Sequence, residues 1–413
     1  MRLRDITVRA RVLQAVRDAR ITDIHTHLFS NNFESLLLRG VDELLTYHYL
    51  VAEALRWGAT TPEGFWKRSK REQADLVWKT LFIDHSPVSE ACRGVLTVLD
   101  SFGLDTAARD LNGYREFFDN LPTEEHIDRV FELSGVDSVV MTNDPFDEAE
   151  RATWLARPKI DERFKPALRL DPMLNEWEST EDMMRLWGYN VSDYVDVKTC
   201  NEVRRFLNEW IDRMNPLYVA SSLPADFVFP DGSARSRLIS ECVLPVAEER
   251  NIPVALMIGV KRNVNSELKS AGDSVGMADV SPIEQLCKVY CSNKFLITML
   301  SRENQHALCV LARKFANLMI FGCWWFLNTP SMIEEITRMR LELLGMSVIP
   351  QHSDCRVLDQ LIYKWEHSRT IIADVLARQY ENLTATGWTI SDEEIQRDVA
   401  DLFGGNFWTF ASK

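Results

Sequence analysis

The sequence has no positive charge to spare: 47 Lys and Arg stand against 61 Asp and Glu, a formal net charge of −14. Such a surface excludes general binding to nucleic acid or anionic lipid, because both need a basic field. An anionic small substrate would have to be met by local arginines. The first twenty residues, MRLRDITVRARVLQAVRDAR, interrupt their apolar positions with Arg and Asp every few residues. They form neither the apolar core of a signal peptide nor a membrane span, and a cytoplasmic location is expected. None of the eight cysteines pairs as CxxC, and Cys242, Cys287, Cys309 and Cys323 lie in apolar runs. A reduced thiol there acts as a small hydrophobe, so structural disulfides are not expected. No Gly-rich turn follows the first strand-like run, which removes the usual sign of a doubly wound nucleotide-binding sheet. Low-complexity linkers and internal repeats are also missing.

What remains is the composition of a soluble globular enzyme, 46% hydrophobic and 26% charged. Eight short β-branched or apolar runs punctuate it: 21–27, 137–144, 164–172, 217–224, 252–260, 294–300, 318–326 and 346–354. Segments with helical spacing, such as Arg237 to Glu249 and Ser331 to Leu344, separate them. Strands that alternate with helices eight times predict an α/β protein, a closed (β/α)8 TIM barrel. One spacing departs from the pattern, since about 110 residues lie between the first and second runs, far more than a βα unit needs. Residues 1–30 and 131–413 are therefore expected to form the barrel. Residues 31–130, which read as helical, are expected to form an inserted subdomain over its C-terminal mouth. Residues 356–413 read as further helices of the barrel wall.

Polar residues collect where these runs end. His25 and His27 are two apart on the first, so strand alternation turns both imidazoles to one side and Ile24 and Thr26 to the other. At the mouth of a barrel, that pair suits two ligands of one divalent metal ion. Asp354, at the end of the eighth run and so beside the first, is the natural third ligand; its competing reading is an N-cap for a helix starting near Val357. His352 is a weaker candidate on the same face. Zinc suits two imidazoles and a carboxylate. Asn143, Asp144, Arg169, Asp171, Ser301, Arg302, Trp324, Trp325 and Arg356 decorate the other ends. Arginines on such a rim match carboxylates bidentately, and tryptophan rings can flank a sugar.

Several of these segments carry a resemblance. TDIHTHLF (22–29), YHYLVAEALRW (47–57), TNDPFD (142–147), ALRLDP (167–172), GCWWF (322–326) and HSDCR (352–356) resemble the uronate isomerase family of the amidohydrolase superfamily, in order along essentially the whole chain. The resemblance implies that His25, His27 and Asp354 hold the metal, while His48, Tyr49, Arg169, Trp324, Trp325 and Arg356 line the substrate pocket. Binuclear amidohydrolases carry a bridging lysine on strand four and histidines on strands five and six. Here strand four offers Ser221 and Ser222, and strand five Met257, so one metal is expected. Met257 also departs from the histidine that many family members have in that segment.

An aldose–ketose isomerisation moves a proton from C2 to C1 of an open-chain sugar through an enediolate. The resemblance implies this reaction on D-glucuronate, giving D-fructuronate, and on D-galacturonate, giving D-tagaturonate, in hexuronate catabolism. Asp354 or Tyr49 could move the proton, and the sequence does not separate them. Arg356 could stabilise the enediolate; Arg169, His48 and Arg302 are candidate partners for the substrate. A mononuclear metal-dependent hydrolase or decarboxylase on the same scaffold is the alternative, and a non-catalytic sugar-acid binder a third. The expected partner is a small hexuronate, with neither nucleic acid nor membrane; self-association is left open.

Overall fold

A computed structural model describes residues 7–412. Seven parallel strands follow one another around a sheet in chain order: β1 (Ile21–Thr26), β2 (Val136–Asn143), β3 (Phe164–Arg169), β4 (Val219–Pro224), β5 (Val254–Lys261), β6 (Phe295–Met299) and β7 (Leu318–Ile320). A two-residue strand, Ser274–Val275, pairs antiparallel with the end of β5. Each crossover is helical, as parallel neighbours require. The run at 346–354 closes the ring, but less regularly than its composition predicts. Ile349 bridges Phe321, and its N–H donates to Ile320 O at 3.1 Å. On the other side, Asp354 N donates to His25 O at 3.1 Å and His27 N to Cys355 O at 2.7 Å. Between these contacts Pro350 has no N–H to give, and Asp354 takes a left-handed φ of 55°, so no continuous ladder forms. The fold is a (β/α)8 barrel whose eighth staves are bridges instead of a strand.

Strand β7 also stops earlier than its apolar run predicts. Gly322 has φ of 66°, and a Cβ there would lie 1.9 Å from the His352 ring. Only glycine fits that approach, and the chain turns out of the sheet there, carrying Trp324 and Trp325 over the barrel end.

Residues between β1 and β2 are helical, including Val41–Leu45, His48–Arg56, Pro62–Trp66, Lys70–Trp78, Glu90–Ser101, Leu111–Asn120 and Thr123–Ser134. The stretch 64–82, which reads as one helix, breaks near Ser69. That serine caps Lys70–Trp78 in a reciprocal capping box with Glu72, satisfying two otherwise orphaned amides. Long helices such as Val197–Met214 and Gln360–Thr384 cover the outside of the sheet. Inside the barrel Ile24, Val140, Tyr218, Ala255, Met257 and Phe321 form a second apolar cluster that Phe407 and Phe410 join. A packed interior of this kind confines solvent-accessible chemistry to the strand ends. Among the described residues no helix is long and apolar enough to cross a membrane.

Candidate metal centre and active site

Strand β1 brings His25 and His27 together by a route other than simple alternation. The β1–β2 register shifts between Asp23 and Thr26, and Ile24, expected to face away, belongs to the interior cluster with Tyr218. His25 reaches Tyr218 as well, so the irregularity re-aims the pair. Ligand atoms of His25, His27 and Asp354 all lie within 4.8 Å of one another. The Nε2 atoms stand 3.5 Å (His25) and 3.3 Å (His27) from Asp354 Oδ1.

Hydroxyl groups behind the imidazoles fix their tautomers. Tyr218 donates its proton to Ile24 O at 2.7 Å, so it can only accept from His25 Nδ1, at 3.3 Å. Thr142 likewise donates to Thr26 O at 2.8 Å and accepts from His27 Nδ1 at 3.0 Å. Burial, reinforced by the Arg356 charge, lowers the His27 pKa to about 3, which keeps the ring neutral. With Nδ1 of each ring held from behind, Nε2 of each is the atom turned to Asp354. Burial alone would raise the Asp354 carboxyl, but the two imidazoles hold it well below the usual carboxylate range, hence ionised. His25 Nε2 and Asp354 Oδ1 are buried without a hydrogen-bond partner. Two imidazole nitrogens and a carboxylate oxygen converge here, two of the three atoms buried without partners, so the donor set fits a divalent metal ion.

The capping role for Asp354 does not occur. Its helix starts at Gln360, and Gln360 Oε1 itself accepts from Arg356 N at 2.9 Å and Val357 N at 3.0 Å. His352 is fully buried, packs edge-on against His25 with ring centroids 4.9 Å apart, and has no partner for either ring nitrogen; it stands outside the ligand group.

Helix His48–Arg56 of the inserted region adds two neighbours. The His48 ring lies 6.1 Å from Trp325 and 4.5 Å from Tyr49. Burial first, then Arg356, lowers the His48 pKa to about 3. Burial, together with Tyr47 and the Asp354 charge, raises the Tyr49 phenol well above its ordinary value, so it stays protonated. Trp325 is buried at φ of 47°, with its indole N–H unpartnered, and Trp324 packs 6.0 Å from it. Arg356 is exposed, and its charge reaches His27 and His48.

Arg169 lies on the other flank. It donates to Asp171 Oδ2 at 2.6 Å while its Nε is buried without a partner. Burial opposes its charge, and the adjacent Asp171 carboxylate more than restores it. With Asp144, Asp171, Ser222 and Arg262 it lines a cavity of about 550 Å³. Arg302, expected on the same rim, is not brought to the site. It is exposed and makes two hydrogen bonds to Glu335, at 3.2 and 3.0 Å, because the loop after β6 turns its side chain outward to helix Pro330–Leu344. Sequence reasoning did not assign Tyr218, Thr142 or Asp23 to the site. Asp23 is fully buried, with its pKa raised to about 6 by that burial, and accepts from Ser353 N and Trp365 Nε1. An acidic residue within β1, two positions before His25, was the one available signal for Asp23.

No family model matches the chain, and no curated protein does. A solved structure of a uronate isomerase from Bacillus halodurans is 57% identical, with 100% of this chain and 98% of that one covered at a TM-score of 0.97. The chain belongs to the uronate isomerase family. Two further structures share its fold: a uronate isomerase from Thermotoga maritima (16% identity, 98% and 97% coverage, TM-score 0.77) and a glucuronate isomerase from Caulobacter crescentus (14%, 99% and 95%, 0.76). Membership makes the protein an isomerase, and a metal site at His25, His27 and Asp354 agrees with the geometry above.

Proposed function

We propose that this isomerase interconverts D-glucuronate and D-fructuronate, and D-galacturonate and D-tagaturonate, with one divalent ion, zinc by its donor set, at His25, His27 and Asp354. The full-length likeness to the Bacillus halodurans uronate isomerase carries this reading. When bound, the ion would supply a Lewis acid beside the reacting oxygens. The ionised Asp354 carboxylate is the base that can take the proton from C2 and return it at C1. Tyr49, held protonated by burial, is not available as a base, so its role is to give a hydrogen bond or proton to a substrate oxygen. Arg356, whose charge is felt at His27 and His48, stabilises the charge that develops as C2 is deprotonated. His48 and the Trp325 indole N–H have free polar atoms for sugar hydroxyls, and Trp324 backs the Trp325 ring. Arg169 offers the sugar carboxylate the edge that Asp171 does not occupy.

Proton NMR of both hexuronates with the metal-loaded enzyme in D2O tests this. Each aldose should give its ketose, with any exchange of the migrating proton read in the same spectra. An enzyme that holds metal yet leaves both sugars unchanged overturns the reading and favours a hydrolase or decarboxylase.

A further inference from the structure

Asp354 keeps its left-handed backbone, φ of 55°, only if its neighbours hold it, since that conformation is uphill for a residue with a Cβ. The backbone around it is pinned at several points. Asp23 accepts from Ser353 N at 3.1 Å, His25 O from Asp354 N at 3.1 Å, and Cys355 O from His27 N at 2.7 Å. All of these come from β1 or the residue just after it. The carbonyls of His352 and Ser353 are held from elsewhere: Asn328 Nδ2 donates to them at 3.2 and 2.9 Å.

We propose that Asn328 is a positioning residue for the metal-binding carboxylate of Asp354, and that Lys364 and Glu90 hold Asn328 in place. This rests on the reading of Asp354 as a ligand. The orientation of the amide is determined, because Asn328 Oδ1 accepts from Gln351 Nε2 at 3.0 Å. A flipped amide would set oxygen against two carbonyls and NH2 against NH2. Gln351 is itself fixed by Cys323 N, which donates to its Oε1 at 2.9 Å. Lys364 Nζ donates to Asn328 O at 3.2 Å and to Glu90 Oε1 at 2.8 Å. Asn328, Gln351 and Lys364 are all at most 5% exposed. Asn328 follows directly on the turn that carries Trp324 and Trp325, and Glu90 lies in the inserted helix Glu90–Ser101. Asn328 therefore links the tryptophan turn, and through Lys364 and Glu90 the inserted region, to the carbonyls just before Asp354. Network members with every atom satisfied hold a single geometry, and such outer partners tune metal affinity.

The test is metal affinity on the full chain, measured by chelator competition with zinc and by the visible spectrum of the cobalt-loaded protein. Asn328→Ala should weaken affinity by about 10- to 100-fold and alter the cobalt bands. Asn328→Ser, which keeps one donor, should fall between it and wild type, and it carries the test if the alanine variant does not fold. Asn304→Ala is the control. That buried amide bonds Ala278 N at 3.0 Å and Ala278 O at 2.7 Å, so its loss should lower Tm and leave affinity and spectrum unchanged. If both Asn328 variants lose Tm as the control does but keep wild-type affinity and bands, Asn328 is merely structural and the proposal is overturned. A wild-type chain that binds no metal would instead refute the ligand assignment itself.

Discussion

The two sides of the barrel are built differently. On one side β4, β5 and β6 pair in register over five residues: Val219 to Leu223 run opposite Val254 to Ile258, which in turn run opposite Phe295 to Met299, and the register slips only at Pro224. On the other, β1 slips register against β2, and the 346–354 segment is held by bridges and side chains. The ordered side contributes apolar residues such as Leu256 and Met257 to the core. The irregular side contributes His25, His27 and Asp354. Regular pairing satisfies the backbone by itself and leaves side chains free to pack. Broken pairing leaves amides and carbonyls that side chains must satisfy, and it turns ligand atoms to directions alternation would not reach.

Substitutions on the two sides should differ accordingly. The largest effect is expected from Asp354→Asn, which keeps shape but removes charge and basicity. Turnover should fall by at least about 100-fold, with the fold intact by circular dichroism. Near-normal turnover would remove Asp354 from the chemistry.

Arg169→Met probes the flank between the two sides. It removes the guanidinium fork but keeps much of the stem. kcat/KM for glucuronate should fall about tenfold to a hundredfold, the cost of one charge-assisted contact. A full kcat/KM with metal bound would reduce Arg169 to the partner of Asp171.

A smaller effect, on stability alone, is expected at Glu150. Its buried carboxyl, which accepts from Asn143 Nδ2 and Asp144 N, has its pKa raised from 4.5 to about 8 by burial. Because the folded state holds this proton more tightly than the unfolded chain, the contribution is fully present below pH 4.5. It falls as pH rises and is lost through about 8. Glu150→Gln should raise Tm by about 2 °C or more at pH 8 and leave it unchanged near pH 4. An equal shift at both pH values would place the effect in packing.

The smallest is Met257→Leu on the ordered side, a nearly volume-conserving swap in the barrel interior. It should cost under about 1.5 kcal/mol and leave metal content and kcat unchanged. Altered metal binding would mean that the ordered side takes part in the site after all.

The same contrast decides what was legible in the sequence. Seven strands announced themselves as apolar runs, because pairing and packing both follow from side-chain composition. The eighth was recognised by its apolar start, but Pro350 and the left-handed Asp354 end its strand character. His25, His27 and Asp354 could be named as candidates from residue type and strand-end position. Tyr218, Thr142 and Asn328 could not, since each acts through a hydrogen bond to a residue more than twenty positions away. Arg302 shows the limit of strand-end reasoning: position on the rim does not say whether a side chain turns inward or out to a helix such as Pro330–Leu344.

That the irregular side holds a single metal ion is tested most directly by counting metal in the purified, metal-saturated protein. Elemental analysis of wild type should give one divalent ion per chain, and His25→Ala with His27→Ala should abolish it. Two ions per chain, or metal retained by the double variant, would contradict it.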